Sequence, residues 1–597
     1  MEWDFSQKRT LQLSIGIAVL TFMVYASSLT NAFVDFDDAL LIYNNALVLR
    51  MSPYTLWRIF TSYDPELYIP LTLLLYQVQY LIAGPSSTVF HFTNLLLHIA
   101  NTLLVVWVIS MLAGKRWMGV FAGMLFAVHP IHTEAIAWAA ATKDLLAACF
   151  FLLSIGFYMR FLTYEEKKNL HRSAIAFAMG LLSKVVILLL PFVLLLLDHH
   201  RGRGINRKTI GEKKIFFALS ALFAVIAVVG KLGNPRMLSI FETVLMSGKS
   251  TVFYLQKLFI PTELSVLYPQ DPSITFAHSE FIIAALLSVA LMGLFLWSFR
   301  RAPRFCLGLG LFLLPLIPNF VNFSKNGYLF FASDRYVYLP SIGILYLAAL
   351  LLERWVTTQK RAQCGAAISI IVIVVFAVSS NAHSRTWKNS ESLYRNILQQ
   401  YPHSTMAMNN LGSVLMAQDK HEEALTLFEQ VFELEQRSMS AINIGLTYQR
   451  RGNIQEAQEW YEKSIDAIAD DRMLSSGDLT PYYFLADLRE KMGFLDEALA
   501  LYQEAATRGE KFAEPSINLG IAYQKRQRLE EAADAFRHAI ELSPHLPAPH
   551  YHLAGILAET GNLPEAEKEL EEVLRINPQY ESAERHLRNI REFMPSN

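Results

Sequence analysis

Residues 495–528 read LDEALALYQEAATRGEKFAEPSINLGIAYQKRQR, residues 529–562 read LEEAADAFRHAIELSPHLPAPHYHLAGILAETGN, and residues 563–578 begin a third row, LPEAEKELEEVLRINP. The rows carry the same kinds of residue every 34 positions: Ala498, Ala532 and Ala566; Tyr502, Phe536 and Leu570; Pro544 and Pro578. A fixed period of this length predicts a stack of similar helical units, because an irregular helical bundle would not keep one register.

The same pattern continues upstream. Ala424 and Ala457 are 33 residues apart, with an aromatic residue four positions after each. Small residues stand where two helices must approach, and glycines mark the turns: Gly412, Gly445 and Gly520, then Gly452, Gly493 and Gly561. This is the tetratricopeptide pattern of paired antiparallel helices. We predict about five units with an insertion near 470–480, a capping helix over 581–593, and a concave groove that binds extended peptides.

The first two thirds of the chain are apolar instead. Hydrophobic residues make up 53% of the sequence, and nearly all long apolar runs precede residue 384. We count 11 runs, near residues 11–29, 91–112, 117–129, 144–162, 174–184, 185–198, 214–230, 280–299, 305–321, 336–352 and 366–380. The first is long enough to span a membrane, which favours an uncleaved helix. We therefore predict an all-α chain with a polytopic membrane domain over 1–383 and a repeat domain over 384–597.

Basic residues in the short loops predict the orientation. Residues 198–214 hold six lysines and arginines, residues 160–172 hold four, and residues 300–304 and 353–361 hold three each. Such loops face the cytoplasm. An odd number of spans then puts the N-terminus in the cytoplasm and the repeat domain outside, in the periplasm of a bacterium or in the lumen of the endoplasmic reticulum. There is no basic stripe interleaved with aromatic residues, so nucleic-acid binding has no support.

Polar clusters beside the apolar runs fall on the outer side of this topology, where ionisable groups are costly and usually functional. The first is Asp35-Phe36-Asp37-Asp38, directly after the first run. Three carboxylates in four residues repel one another, which suits proton abstraction or metal binding. A solvated loop turn is an equally good interpretation.

Histidines form the second and third clusters. His91, Asn94 and His98 share one helical face, which indicates a site or, more readily, hydrogen bonds between helices. The segment VHPIHTE (128–134) then brings His129, His132 and Glu134 together. These three side chains can ligate a divalent cation, but their spacing is a weak signal, so we expect a polar pocket and assign no cofactor.

Cations form the last two clusters. Lys184 lies between two short apolar runs, and Asp334-Arg335-Tyr336 opens another. Lysine there needs an anionic partner, and arginine is suited to clamp a phosphate; an internal Asp334–Arg335 pair that fixes the loop is the alternative. Carboxylates for a proton and cations for a phosphate together suit sugar transfer from a lipid-linked phosphate to a hydroxyl group.

The chain resembles the transmembrane and tetratricopeptide-repeat (TMTC) family of O-mannosyltransferases and, more distantly, the protein O-mannosyltransferases, which have the GT-C membrane fold. The resemblance rests on FVDFDDALLIYNNALV (33–48), FHFTNLLLHIANTLLV (90–105), LFAVHPIHTEAIAW (125–138), KDLLAA (143–148), GLLSK (180–184), DRYVYLPSIG (334–343) and the trailing repeats. It implies a glycosyltransferase that moves a sugar from a polyprenyl-phosphate donor to Ser or Thr hydroxyls of a protein bound in the repeat groove.

Carried over through this resemblance, Asp37 is the base toward the acceptor hydroxyl and Asp38 supports it, while Arg335 holds the donor phosphate with help from Lys184. We place six further residues along the same pocket: His91, His98, His129, His132, Glu134 and Asp334.

Two positions depart from the family pattern. Ile69 stands where the family tends to have arginine before Pro-Leu, and Val185 stands where it tends to have glutamate after Ser-Lys. These departures favour an alternative, an inactive transferase that anchors a peptide-binding scaffold. A transporter or polymer ligase is a third option, but the two halves lack the internal symmetry typical of transporters.

Overall fold

The computed structural model of the chain describes residues 7–63, 67–230, 238–270, 273–325, 328–468, 476–577 and 580–593. The chain forms two compact units, Met1–Ser404 and Thr405–Asn597. The sequence changes from apolar to charged near residue 384, but the first unit extends to Ser404. It therefore includes the charged helix Ser390–Gln400. The predicted repeat position at Pro578 and most of the predicted insertion near 470–480 lie outside the described residues.

The first unit is helical almost throughout its described residues. Its α-helices are α1 (Gln7–Tyr25), α2 (Ala46–Leu49), α3 (Pro53–Thr61), α4 (Pro70–Ala83), α5 (Ser87–Ala113), α6 (Arg116–Val128), α7 (Thr133–Ala137), α8 (Thr142–Tyr164), α9 (Lys167–Ser183), α10 (Leu190–His200), α11 (Arg207–Gly211), α12 (Lys214–Val229), α13 (Ile240–Phe259), α14 (Ser279–Arg301), α15 (Pro303–Leu316), α16 (Ser341–Trp355), α17 (Gln359–Ser384) and α18 (Ser390–Gln400). A small antiparallel sheet in the order β1-β3-β2 is formed by β1 (Tyr268–Pro269), β2 (Ser324–Lys325) and β3 (Tyr328–Ala332).

Within the described residues, six helical stretches are long and apolar enough to cross a membrane: Leu11–Thr30, Ser87–Ala113, Ala139–Tyr164, Ser279–Arg301, Pro303–Val321 and Gln359–Trp387. A seventh results if the pair Arg116–Val128 and Pro130–Ala137, bent by 57°, is one span. Three shorter apolar helices accompany them, among them α4, which was not among the predicted apolar runs because its 14 residues are too few for a span. The first unit is thus an integral membrane domain, and the count of 11 spans stays a prediction.

The bend after α6 is caused by a proline. His129 has an extended backbone (ψ 125) and precedes Pro130, which disfavours helix at the residue before it. Helix α6 therefore ends at Val128, and after the short helix α7 the next long helix, α8, begins at Thr142. Residues 129–141, which we call the buried turn, are completely enclosed by the membrane domain.

The second unit consists of consecutive antiparallel helices. They are α19 (Thr405–Ala417), α20 (His421–Glu435), α21 (Ser438–Arg451), α22 (Ile454–Asp466), α23 (Thr480–Lys491), α24 (Leu495–Arg508), α25 (Ala513–Lys525), α26 (Leu529–Leu542), α27 (Pro547–Glu559), α28 (Leu563–Ile576) and α29 (Glu581–Phe593). A Cβ at Gly445 would lie 2.6 Å from the ring of Tyr461, which explains the glycine at the helix crossing. Gly452 has a φ of +84° in the turn that follows. The predicted fold class, a helical membrane domain followed by a tetratricopeptide-repeat solenoid, is confirmed.

Candidate functional site

The buried turn is held in place by α5. Asn94 donates from Nδ2 to the Trp138 carbonyl at 2.8 Å and accepts from the Thr142 hydroxyl at 2.6 Å. Asn101, two turns further along α5, donates to the Leu145 carbonyl at 2.9 Å. A buried amide that is satisfied on both sides orients the backbone around it. Of the two interpretations of Asn94, the structure supports hydrogen bonding between helix α5 and a neighbouring segment.

The loop that follows the first membrane helix and carries Asp35, Asp37 and Asp38, which we call the first loop, is fastened to the buried turn by Asp38. One carboxylate oxygen of Asp38 accepts from the Ala140 amide at 2.9 Å, and the other accepts from the Val34 amide at 2.8 Å. The side chain is fully buried. Burial raises the pKa of Asp38 to about 7, while the two amide hydrogen bonds and the charge of Lys143 oppose the rise. Both oxygens are engaged, so Asp38 serves to position the loop.

Helix α18 secures the loop from its other side. The Asp35 amide donates to the Ser390 hydroxyl at 2.8 Å, and the Tyr394 hydroxyl donates to the Asp35 carbonyl. The rings of Trp138 and Trp387 stack with centroids 6.0 Å apart, just before α18 begins. Since both contacts are formed inside the first unit, the geometry of the loop depends on residues beyond the last apolar run.

Asp37 differs from Asp38 in its surroundings. Its side chain is only half-buried, so a substrate can reach it. It lies close enough to Lys143 and to Tyr336 to interact electrostatically with both. The structure thus separates the two adjacent carboxylates: one is enclosed and doubly hydrogen-bonded, and the other faces the cations of the site.

Arg335 reaches the site from the 3₁₀ segment Asp334–Val337, which follows strand β3. Its guanidinium forms an ion pair with Glu134, and its backbone amide donates to the same carboxylate at 3.0 Å. The guanidinium carbon lies 4.9 Å from the ring centre of Trp138 and 4.8 Å from that of Tyr336. Arg335 is therefore a rigid, nearly buried cation between two aromatic rings.

Two lysines lie in the same group of charged side chains as Asp37 and Arg335. Lys184 pairs with Asp144 at 2.5 Å, as the sequence required of a lysine between apolar runs. Lys143, which was not among the predicted site residues, lies 4.6 Å from the Trp138 ring centre and donates to the Ala140 carbonyl at 2.8 Å. The KD pair at 143–144 was the signal that could have found it, because ionisable residues inside an apolar run are rarely incidental.

Several polar atoms of this cluster are buried without a hydrogen-bond partner among the described residues: Nε of Arg335, Oδ2 of Asp144 and Nε1 of Trp138. Buried polar atoms of folded proteins are nearly always paired, and exceptions call for an explanation such as a ligand. We call the set Asp37, Lys143, Asp144, Lys184 and Arg335, with Trp138 and Tyr336, the charged cluster. It unites one accessible carboxylate with three cations.

The histidines form a separate, enclosed network. His98 lies 2.8 Å from the Tyr338 hydroxyl and 3.2 Å from the Ala127 carbonyl. His129 lies 3.0 Å from the Leu258 carbonyl, and His132 lies 2.9 Å from the Phe126 carbonyl and 3.0 Å from the Ser341 hydroxyl. His91 is buried against the backbone of residues 31 and 32. Hydrogen bonds hold His98, His129 and His132, whereas both ring nitrogens of His91 are buried without a hydrogen-bond partner among the described residues. The role of the four histidines along a pocket stays a prediction.

Glu134 and Asp334 are also engaged internally. Glu134 accepts from the Ser333 hydroxyl at 2.9 Å besides its pair with Arg335. Asp334 accepts from the Tyr268 hydroxyl at 2.7 Å. The partner of Arg335 is therefore Glu134 and not its neighbour Asp334, which corrects the internal pair considered from the sequence. Among the residues that the structure describes, no group of three or more His, Cys, Asp or Glu side chains could hold a metal ion.

The two positions that depart from the family pattern lie on segments that touch. The Thr72 hydroxyl, three residues after Ile69, donates to the Ser183 carbonyl at 3.0 Å. Ile69 itself is buried. An arginine at position 69 and a glutamate at position 185 would thus stand on neighbouring segments beside Lys184.

Comparison with known proteins agrees with this architecture. Residues 65–230 match the family model of dolichyl-phosphate-mannose-protein mannosyltransferases. Tetratricopeptide-repeat models match residues 403–470, 436–511, 483–547 and 525–589. The mannosyltransferase match includes the buried turn and Lys184, but neither the first loop nor Arg335.

The curated relatives carry both parts. The human protein O-mannosyl-transferase TMTC3 is 24% identical over 96% of this chain and 68% of that protein, and human TMTC4 is 25% identical over 69% of this chain and 65% of that protein. The Drosophila melanogaster protein O-mannosyl-transferase Tmtc2 is 33% identical over 34% of this chain and 23% of its own length. The chain spans about two thirds of the length of the two human relatives.

Among solved structures, the tetratricopeptide-repeat protein YrrB, described as having an unusual peptide-binding site, aligns with 32% of this chain and 96% of its own at 20% identity, with a TM-score of 0.24. The resemblance to TMTC O-mannosyltransferases inferred from the sequence is confirmed by the curated relatives and the family models. So is the predicted enzyme class, a membrane glycosyltransferase.

Proposed function

We propose, on the premise of this similarity to protein O-mannosyl-transferases, that the protein transfers a sugar from a polyprenyl-phosphate donor to Ser or Thr hydroxyls of a protein acceptor. The observation that carries the proposal is the charged cluster. It combines an accessible carboxylate, Asp37, with three cations and with a buried guanidinium nitrogen that has no partner among the described residues.

The reaction needs a base and a phosphate site. The acceptor hydroxyl oxygen bonds to the anomeric carbon of the sugar as the bond from that carbon to the phosphate oxygen breaks. The hydroxyl proton passes to Asp37, and the electron pair leaves with the polyprenyl phosphate. Attack opposite the leaving group inverts the anomeric carbon. Arg335 and Lys184 stabilise the charge that develops on the phosphate.

Arg335 suits this role because its orientation is preset. Glu134 holds one side of the guanidinium and the rings of Trp138 and Tyr336 hold its faces, so little reorganisation accompanies phosphate binding. Lys143 extends the positive region toward Asp37. Asp38 acts through the backbone by keeping the first loop on the buried turn. A divalent cation is not required by this scheme.

The test is sugar transfer by the purified full-length protein in lipid nanodiscs, with polyprenyl-phosphate mannose as donor and a pool of extracytoplasmic proteins as acceptor. Asp37→Asn should lower the transfer rate by about 10²-fold or more, because general-base catalysis contributes about that much. Asp35→Asn is the matched control: it removes a neighbouring, exposed carboxylate and should leave the rate near that of the wild type. Full activity of Asp37→Asn would overturn the assignment.

We assign acceptor binding to the groove of the repeat domain, since solenoids of this type present extended concave surfaces. Removing residues 405–597 should abolish transfer to the folded protein acceptor while the membrane domain still retains the polyprenyl-phosphate donor in a co-purification assay. A truncated protein that modifies the acceptor at the normal rate would show that the repeats have another role.

We place the protein in a bacterial inner membrane, with its N-terminus in the cytoplasm and its repeats in the periplasm, because the loops rich in lysine and arginine should remain inside. Alkaline phosphatase fused after residue 597 should be active, and a green fluorescent protein at the same site should be dark. The opposite pattern would contradict the whole assignment, since the charged cluster would then lie away from a periplasmic acceptor.

An inactive scaffold is the second candidate, and Ile69 and Val185 are the observations that favour it. The contact between Thr72 and Ser183 offers a different account of them. The segments that carry these positions touch, and the joint loss of an arginine and a glutamate from them removes no net charge. Restoring both residues, Ile69→Arg with Val185→Glu, should then change the transfer rate little; activity that appears only in this variant would favour the scaffold.

A further inference from the structure

The end of the membrane domain that carries the basic loops contains a groove of about 820 Å³, which we call the basic groove. Helices α5 and α16 run from the charged cluster to this end: Ser87 at the start of α5 bonds to the first loop, and Ala113 at its end lines the groove. The 27 residues of α5 span about 40 Å, so the groove lies across the membrane from the charged cluster.

The lining of the basic groove is positively charged. Arg201, Arg304 and Arg354 come from three different loops or helix ends. The one carboxylate in the lining, Glu353, is paired with Lys115 at 2.8 Å and lies 3.9 Å from Arg304. Arg201 donates to the Met111 carbonyl at 3.0 Å. The acidic charge is thus already balanced by a lysine, and the three arginines leave an excess of positive charge at the surface.

Besides His200, the remainder of the lining is apolar. Leu347, Leu350 and Leu351 of α16 form one wall of the basic groove. Leu351 also lines a second groove of about 420 Å³ between α6, α16 and α17, whose other residues include Phe121, Leu125 and Ile368. A positively charged groove with an apolar wall matches an amphiphile with an anionic head and a hydrocarbon chain.

We propose that the basic groove binds an anionic membrane lipid, with the phosphate of its headgroup between Arg304 and Arg354 and an acyl chain along Leu351. Free phosphate would satisfy the arginines but would leave the apolar wall unused, so the leucines beside the arginines favour the lipid. Basic pockets between helices on the cytoplasmic side of membrane proteins commonly take such headgroups. This site is separate from the charged cluster and does not depend on the transfer reaction.

The test is native mass spectrometry of the full-length protein in detergent, titrated with phosphatidylglycerol, with phosphatidylcholine of the same chains, or with inorganic phosphate. Phosphatidylglycerol should be retained in preference to phosphatidylcholine. Each arginine near the membrane surface changes binding about fivefold, so Arg304→Gln with Arg354→Gln should weaken retention about 25-fold. Arg301→Gln removes a nearby arginine that does not line the groove, and it should bind as the wild type does.

Leu351→Trp separates the two sources of phosphate, because it alters the apolar wall and leaves the three arginines unchanged. It should reduce binding of phosphatidylglycerol without weakening binding of inorganic phosphate. Equal retention of both lipids, unchanged binding by the double arginine variant, or unchanged lipid binding by Leu351→Trp would each overturn the proposal. Melting temperatures equal to that of the wild type would show that the variants are folded.

Discussion

Replacing Glu134 by glutamine removes the negative charge beside Arg335 and keeps the shape of the side chain. Glu134 is 1% exposed and Arg335 is 8% exposed, so the arginine cannot recover its lost partner by moving into water. The amide of glutamine can still accept from the Ser333 hydroxyl, but its NH₂ group would face the guanidinium or the Arg335 amide, both of which are donors.

The expected cost follows from these surroundings. Breaking a buried ion pair by removing one partner costs about 3–5 kcal/mol. The rings of Trp138 and Tyr336 already contact the guanidinium, and a cation–π contact is worth about 0.5–2 kcal/mol, so the isolated arginine is not wholly without stabilisation. We therefore expect Glu134→Gln to lower the free energy of unfolding by about 3 kcal/mol, near the low end of that range.

A double-mutant cycle makes the prediction specific to the pair. Arg335→Met leaves Glu134 buried without its cation and should cost a similar amount. The variant that carries both substitutions should be less destabilised than the sum of the two, by about 2 kcal/mol, because neither buried charge remains alone. Unfolding in mixed detergent micelles, followed by tryptophan fluorescence, gives the free energies. Effects that add within about 0.5 kcal/mol would refute the claim that these residues stabilise each other.

Three further predictions address other parts of the chain. The raised pKa of Asp38, about 7, means that its contribution to stability is complete below pH ~4 and is lost as the pH rises through 7; a pH titration of unfolding should show a fall of about 3–4 kcal/mol over that range that is absent from Asp38→Asn. Gly520→Ala should destabilise the repeats by about 1–3 kcal/mol, since its Cβ would lie 2.7 Å from an aromatic ring of α26, whereas Gly555→Ala meets nothing within 4 Å and should stabilise them slightly in thermal melting or hydrogen exchange. Asp198→Leu should destabilise the protein more than Lys213→Met in the same unfolding assay. When Lys213 is lost, Asp198 still pairs with Arg203 at 2.8 Å, but when Asp198 is lost, Lys213 loses the carboxylate with which it pairs.

The repeats could be read from the sequence because their packing is local. Gly412, Gly445 and Gly520 each meet an aromatic ring only 16 positions later, so the contact recurs with the period and leaves a mark on the sequence. Apolar runs predict membrane helices for a similar reason. Each helix pairs its own backbone hydrogen-bonding groups, so only a sufficient apolar length is needed. Short helices escape this test, and α4 was missed for that reason.

The chemistry of the candidate site was foreseen only as a set of residue types. Carboxylates, lysine and arginine beside apolar runs indicated that charge is held there for a purpose. The choice of Asp37 over Asp38 as the base rested on the family resemblance, because the two residues have the same side chain and no local pattern separates them. In the structure, two backbone amides enclose Asp38, and Asp37 remains partly open toward Lys143.

The choice of partners depends on how distant segments meet. Arg335 pairs with Glu134, 201 positions earlier, although Asp334 is adjacent in sequence, because the buried turn and the 3₁₀ segment face each other. Lys184 finds Asp144 across α8 and α9 in the same way. Composition and spacing indicate which buried charges need a partner of opposite charge, because the cost of burying a charge is local. The identity of that partner depends on how whole helices pack, and no short window of sequence contains this information.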